Sequence, residues 1–280
     1  GLFVIALLVS ISGCSKNNNS EKQSALLAAV AASGNILPDF NGEKRLVFIH
    51  HSTGSAWIAT GNGNLGQELN DNGYYVTECD YGWDAQPFDN LGDRTDTWNW
   101  TEWFTDEKMP YVYGNSSHFD YDNVINDPGG QNEIIMFKSC YPNSEVGDSI
   151  DDEKALYNGL LTYFGAHTDK MFVLIVPPPE IEIDSAARTR ELANWLVATD
   201  GWLNGYTGNN VYVFDYYNVL TAPANHHRYS GGSVEHLVSD PSNELHYYTG
   251  SDSHPTAEGH QKATAEFVPL LNYYYAQWKS

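Results

Sequence analysis

From Glu43 onward the chain alternates between two rhythms of apolar and polar positions. Short runs rich in β-branched and aromatic residues recur at 45–50, 74–79, 134–137, 171–176 and 211–214, each the length of a buried strand. Between them the spacing turns helical. Residues 65–72 read as the end of a helix, and 98–108 spaces Trp98, Trp100 and Trp103 at helical intervals. Residues 151–167 place Leu156, Leu160, Leu161 and Phe164 on one face behind an acidic first turn. Segments 185–198 and 256–272 predict two further helices, the second closing the chain, while Pro177-Pro178-Pro179 stops the fourth strand. Strands separated by helices predict an α/β fold: a three-layer α/β/α sandwich around a mainly parallel five-stranded sheet. Ligands of such sheets bind beyond the carboxyl ends of the strands, where Ser52, Asp80, Asn143 and Asp215 fall. The connections 80–99 and 217–253 are long, as loops that carry function or close as lids are.

The N-terminus has a different pattern. Residues 1–12 are an apolar run too short to span a bilayer, with the length of the hydrophobic stretch of a secretory signal that has lost its initiating Met and basic residues. Ile11-Ser12-Gly13-Cys14 resembles a bacterial lipobox, which predicts lipidation of Cys14. The expected organisation is a signal over 1–14, a tether and lead-in over 15–42, and a single domain over 43–280. Residues 25–32 leave a short helix and a piece of tether both open. The expected product is an exported lipoprotein held to the outer membrane through Cys14, on either face.

Composition narrows the partners. The formal net charge of -22, with 14 Lys+Arg, supplies no basic stripe for phosphates, so nucleic acid is excluded as a partner. The same charge disfavours adsorption to an anionic lipid surface. With 41% apolar residues the chain can bury a full core, and 8 Trp and 19 Tyr suit an exported protein that handles neutral glycans. Cys79 and Cys140 fall at the ends of predicted strands. Export permits a disulfide between them, and two buried thiols are the other reading.

Two segments carry the chemistry. Ser251-Asp252-Ser253-His254-Pro255-Thr256-Ala257-Glu258-Gly259 sets a carboxylate and an imidazole two residues apart on a turn before the last helix. Leu46-Val47-Phe48-Ile49-His50-His51-Ser52-Thr53-Gly54 supplies a hydroxyl at the exit of the first strand. A histidine that takes a proton from a hydroxyl needs an acid to hold its tautomer. Each residue alone has a plainer reading, Ser52 as a helix cap and His254 as a structural histidine. Together, over roughly 43–274, they make the chain resemble the SGNH (GDSL-type) hydrolase superfamily, which has a flavodoxin-like sheet. The match is firmest in the His-Pro-x-x-x-Gly ending at His254–Gly259. The first block reads His50-His51-Ser52 instead of Gly-Asp-Ser, as in uncharacterised members with a His-His-Ser start. The acid stands two residues before the histidine instead of three, and Lys138–Ser144 replaces the Gly-x-Asn-Asp block.

The resemblance implies a serine esterase acting on an acylated carbohydrate or other ester, with no cofactor and no metal. Ser52 would be the nucleophile, His254 the base and Asp252 its orienting acid. The backbone N–H groups of Ser52 and Gly82, with the Asn143 amide, would hold the oxyanion. His51, His226, His227 and Arg228 are the candidate substrate contacts. Two other readings stay open: a glycan-binding protein that has lost activity, and a metal-dependent hydrolase built on the His50/His51 and His226/His227 pairs.

Overall fold

The computed structural model describes residues 44–85, 87–121, 125–140, 149–181, 186–239, 245–250 and 252–280. The signal, tether, Cys14 and Asn143 lie outside them. Five strands form one parallel sheet: β1 (Lys44–Ile49), β2 (Tyr74–Cys79), β3 (Ile134–Lys138), β4 (Met171–Ile175) and β5 (Val211–Phe214), in the order β2-β1-β3-β4-β5. Four strands are buried at every position, as residues covered on both faces must be, and only Tyr212 interrupts the pattern in β5.

Alternation along each strand divides the core in two. Val47, Ile49, Ile135, Phe137, Phe172 and Leu174 face one layer, formed by α5 (Asp151–Ala166) and α6 (Ala186–Val197). Trp100 and Trp103 of the short helix α3 (Trp100–Trp103) complete that layer, and α4 (Met109–Tyr113) adds Met109 and Val112. Leu46, Phe48, Ile134, Met136 and Val173 face the other layer. There they meet Trp57 and Ile58 of α1 (Thr53–Ile58), Leu65 and Leu69 of α2 (Leu65–Asp71), and the long α8 (Ala257–Lys279). The fold is therefore α/β, a parallel five-stranded sheet between two helical layers.

Three departures from the sequence reading have physical causes. The 98–108 segment is not one helix, because Phe104 leaves the helical region and Thr105–Lys108 turn before α4 restarts the chain. The closing helix continues through Pro269 to Lys279, its apolar face from Phe267 to Trp278 packed on the sheet and outweighing the lost backbone hydrogen bond. The long 217–253 connection holds the short helix α7 (Tyr216–Val219) and a hairpin, β6 (His226–Ser230) and β7 (Ser233–Leu237). Gly231-Gly232, both at positive φ, make its turn.

The proposed bridge between Cys79 and Cys140 is absent, and both are free thiols. The sheet order explains this, since β1 lies between β2 and β3. Residues two strands apart are roughly 9–10 Å from each other, beyond the span a disulfide closes.

Candidate active site

The sheet reverses its winding between β1 and β3, and the exits of those strands form the crevice where doubly wound sheets hold ligands. Thr53 Oγ1 donates across it to the Cys140 carbonyl at 3.4 Å. Ser52 sits at the lip, with φ of 44° and ψ of -94°. A non-glycine residue there is strained, and such strain persists only where surroundings enforce it. Gly54 supplies the enforcement. A Cβ on it would lie 2.4 Å from His50 Cβ, so only glycine lets the chain double back this tightly.

Ser52 occupies the N-cap position of α1, yet its hydroxyl caps nothing. Its Oγ is instead hydrogen-bonded to His254 Nε2. His254 Nδ1 donates to Asp252 Oδ1 at 2.6 Å, and the same oxygen accepts the His254 backbone N–H at 3.0 Å. The two-residue spacing thus lets one carboxylate oxygen fix both the backbone and the ring of His254, in the manner of an Asx turn. The hydrogen bonds from the His254 ring and backbone hold Asp252 below the usual carboxylate range. Behind the turn, Thr256 caps α8 by accepting the Gly259 N–H at 3.4 Å. Gly259 itself passes so close to Tyr247 that a Cβ would meet Tyr247 Cβ at 2.6 Å.

The two expected oxyanion donors that lie in the described residues differ in what their N–H groups meet. The Ser52 N–H has no hydrogen-bond partner among the described residues. The Gly82 N–H, by contrast, donates to Asp93 Oδ1 at 2.8 Å, so Gly82 is a closed turn position and not a free donor. Asn143 lies outside the described residues.

His51 lies beside Ser52 but beneath the surface. Its Nε2 donates to the Gly92 carbonyl, its ring stacks on Tyr81 at 3.8 Å, and burial holds its pKa below the usual imidazole value. The face turned to solvent there belongs to Tyr81, which is 53% exposed and which the sequence did not single out. Lys138 is also unforeseen: fully buried at the end of β3, it donates to the carbonyls of Ser139 and Cys140 at 2.7 and 3.1 Å. Burial lowers its pKa to about 8.

His226, His227 and Arg228 are not at this site. They lie on β6, where His226 Nδ1 meets Glu266 Oε1 at 2.8 Å and the His227 N–H donates to Glu266 Oε2 at 2.9 Å. Glu266 is nine residues into α8, roughly 14 Å along the helix from its start. His227 Nδ1 accepts the Asp215 N–H at 2.9 Å, and Arg228 Nε donates to Glu235 at 2.7 Å. These bonds seat the hairpin on β5 and α8, and the structure does not bring His226, His227 or Arg228 into the Ser52–His254 relay. They also part the two histidine pairs of the metal-hydrolase reading. A cleft of about 330 Å³ opens there, lined among others by Leu196, Val213, His227, His236 and Tyr274.

No protein-family model matches the chain, and no curated protein does. Among solved structures it is similar to a family two carbohydrate esterase from Cellvibrio japonicus, at 14% identity and a TM-score of 0.40. The likeness covers 85% of this chain and 63% of that one, less than two thirds of its length.

Proposed function

We propose that the chain is a serine esterase that removes an acyl group, acetyl in the first instance, from a carbohydrate. The reading is carried by one observation, the continuous relay from Ser52 Oγ through His254 Nε2 and Nδ1 to Asp252 Oδ1. A hydroxyl bonded to one ring nitrogen, with a carboxylate on the other, is the arrangement in which imidazole acts as base and then acid. Ser52 Oγ attacks the ester carbonyl while its proton passes to His254 Nε2, and Asp252 stabilises the imidazolium that forms. Collapse of the tetrahedral intermediate returns the proton to the departing alcohol. Water, deprotonated by His254 in its turn, then releases the acid and restores Ser52. The Ser52 N–H, left without a partner among the described residues, serves as oxyanion donor on this reading, and one such donor contributes about 2.7–4 kcal/mol.

The carbohydrate half rests on Tyr81, an exposed ring packed flat on His51 beside the nucleophile, as a platform for a sugar. Export as a lipoprotein rests on Ile11–Cys14 alone; a Cys14→Ser variant that still fractionates with membranes removes it. Hydrolysis of p-nitrophenyl acetate and of an acetylated polysaccharide, by wild type and Ser52→Ala, tests the chemistry. Equal rates exclude Ser52 from the reaction. One feature favours a second reading, a glycan-binding protein without turnover: the Gly82 N–H is taken by Asp93, which leaves the oxyanion short of a donor. Glycan binding with no acyl release from wild type selects it.

A further inference from the structure

The exits of β1 and β2 hold a second cluster that the acyl-transfer chemistry does not use. Parallel pairing sets Phe48 opposite Glu78 and Ile49 opposite Cys79. Alternation therefore puts His50, Glu78 and Asp80 on one face at the carboxyl edge of the sheet. The 118–120 segment crosses that edge and is tied down by Glu78, whose carboxylate accepts the N–H of Phe119 at 3.0 Å and of Asp120 at 3.3 Å. His50, Glu78 and Asp120 each offer a donor atom within 4.8 Å of the others.

Two observations separate this cluster from an ordinary group of surface acids. His50 and Glu78 are fully buried and Asp80 is nearly so. Among the described residues, His50 Nδ1 and Asp80 Oδ1 have no hydrogen-bond partner, although both are buried. They face each other across 3.9 Å, too far for a hydrogen bond. His50 Nε2, on the other side of the ring, meets Glu78 Oε1 at 3.3 Å, so an ion held at Nε2 leaves Nδ1 turned to Asp80, the supporting carboxylate that a metal-bound imidazole takes. No Lys or Arg among the described residues pairs with Glu78, Asp80 or Asp120, and Lys138 is engaged with carbonyls.

We propose that His50, Glu78 and Asp120 bind one divalent transition metal, for which Zn²⁺ is the probe, with Asp80 as the carboxylate behind the His50 ring. A set of one imidazole and two carboxylates suits Zn²⁺ or Mn²⁺ better than Ca²⁺ or Mg²⁺, which prefer oxygen alone. Asp120 is exposed and provides the way in from solvent. The site is independent of the acyl-transfer reading and differs from the paired-histidine site considered from the sequence. Its place is structural. Asp80 Oδ2 accepts the Ser55 hydroxyl at 2.8 Å, so a bound ion ties β1, β2 and α1 together beneath the strained Ser52 turn.

The test is calorimetric titration of chelator-treated protein with Zn²⁺, Mn²⁺, Ca²⁺ and Mg²⁺, with the unfolding midpoint followed in parallel. The expected result is one Zn²⁺ per chain, a raised unfolding midpoint with Zn²⁺ or Mn²⁺, and little response to Ca²⁺ or Mg²⁺. Asp120→Asn, an exposed and isosteric change, should weaken Zn²⁺ affinity at least tenfold, roughly the low end of what loss of a supporting group costs a metal site. Glu78→Gln should do the same wherever its circular dichroism is that of wild type. Absence of stoichiometric Zn²⁺ binding, Zn²⁺ binding undiminished in Asp120→Asn, or an equal response to Ca²⁺ would each overturn the proposal.

Discussion

Two of the histidine–carboxylate pairs, of nearly equal bond length, stand in opposite settings. At the mouth of the sheet, His254 meets Asp252 at 2.6 Å with both side chains well exposed, and the far nitrogen reaches a hydroxyl. Under the hairpin, His236 meets the fully buried Asp215 at 2.7 Å. Asp215 also accepts Asn218 N and Nδ2 at 2.9 and 2.8 Å, and His227 stacks on Phe214. There burial would raise the Asp215 carboxyl, but the His236 bond and charge hold it low. A short bond between acid and imidazole is thus no mark of chemistry. The difference lies in what the second ring nitrogen meets: a strained hydroxyl at a crevice for His254, and no hydroxyl among the described residues for His236.

The sharpest break in this comparison is Ser52→Ala. It should lower kcat for ester hydrolysis by about 10³-fold or more, with an unfolding midpoint close to wild type. Asp215→Ala should do the reverse, costing about 3–5 kcal/mol in chemical denaturation because it strands buried partners, while kcat per folded molecule stays the same. A kcat loss matching that of Ser52→Ala would erase the distinction. Asp252→Asn should lose about 10²-fold in kcat with KM little changed, less than a buried triad acid loses, because solvent already screens the exposed carboxylate. The smallest effect is on pH. Burial lowers His227 to about 4 and His260 to about 3, so between those values and 6.5 the unfolded chain binds more protons than the folded one. Stability should therefore fall as pH drops below 6.5, by at most about 1.4 kcal/mol per pH unit for each histidine. His236, whose pKa its Asp215 bond raises against the pull of burial, acts with the opposite sign in a different window: its contribution is complete below 6.5 and is lost as pH rises above it. Urea midpoints from pH 7 to 5 should show the slope, and His227→Gln should flatten it.

The sheet was legible because its strands are buried on both faces and read as unbroken apolar runs. The hairpin was not, since His226–Ser230 and Ser233–Leu237 are polar and mostly exposed and alternate weakly; Gly231-Gly232 was the available signal. At the site, Ser52 and His254 could be named because each stands at the end of an element whose pattern is clear. Gly82 was named by its nearness to β2, but a sequence does not say which acceptor, here Asp93, takes a turn N–H. Tyr81 and the cluster around His50 were invisible for a related reason. Each depends on which residues from β1, β2 and the 118–120 segment converge, and pairing order supplies that.

Ser52 and His254 are separated by 202 positions, one leaving the first strand and the other entering the last helix. A ribosome must therefore complete nearly the whole domain before the hydroxyl meets its base. Until α8 emerges and docks, the growing chain displays Ser52 without its His254 partner, and on the proposed mechanism no product of interrupted synthesis that stops before residue 254 would work on an ester. If the proposal holds, activity becomes a certificate of completed assembly, and its first appearance during refolding should report the docking of the final helix rather than the formation of the sheet.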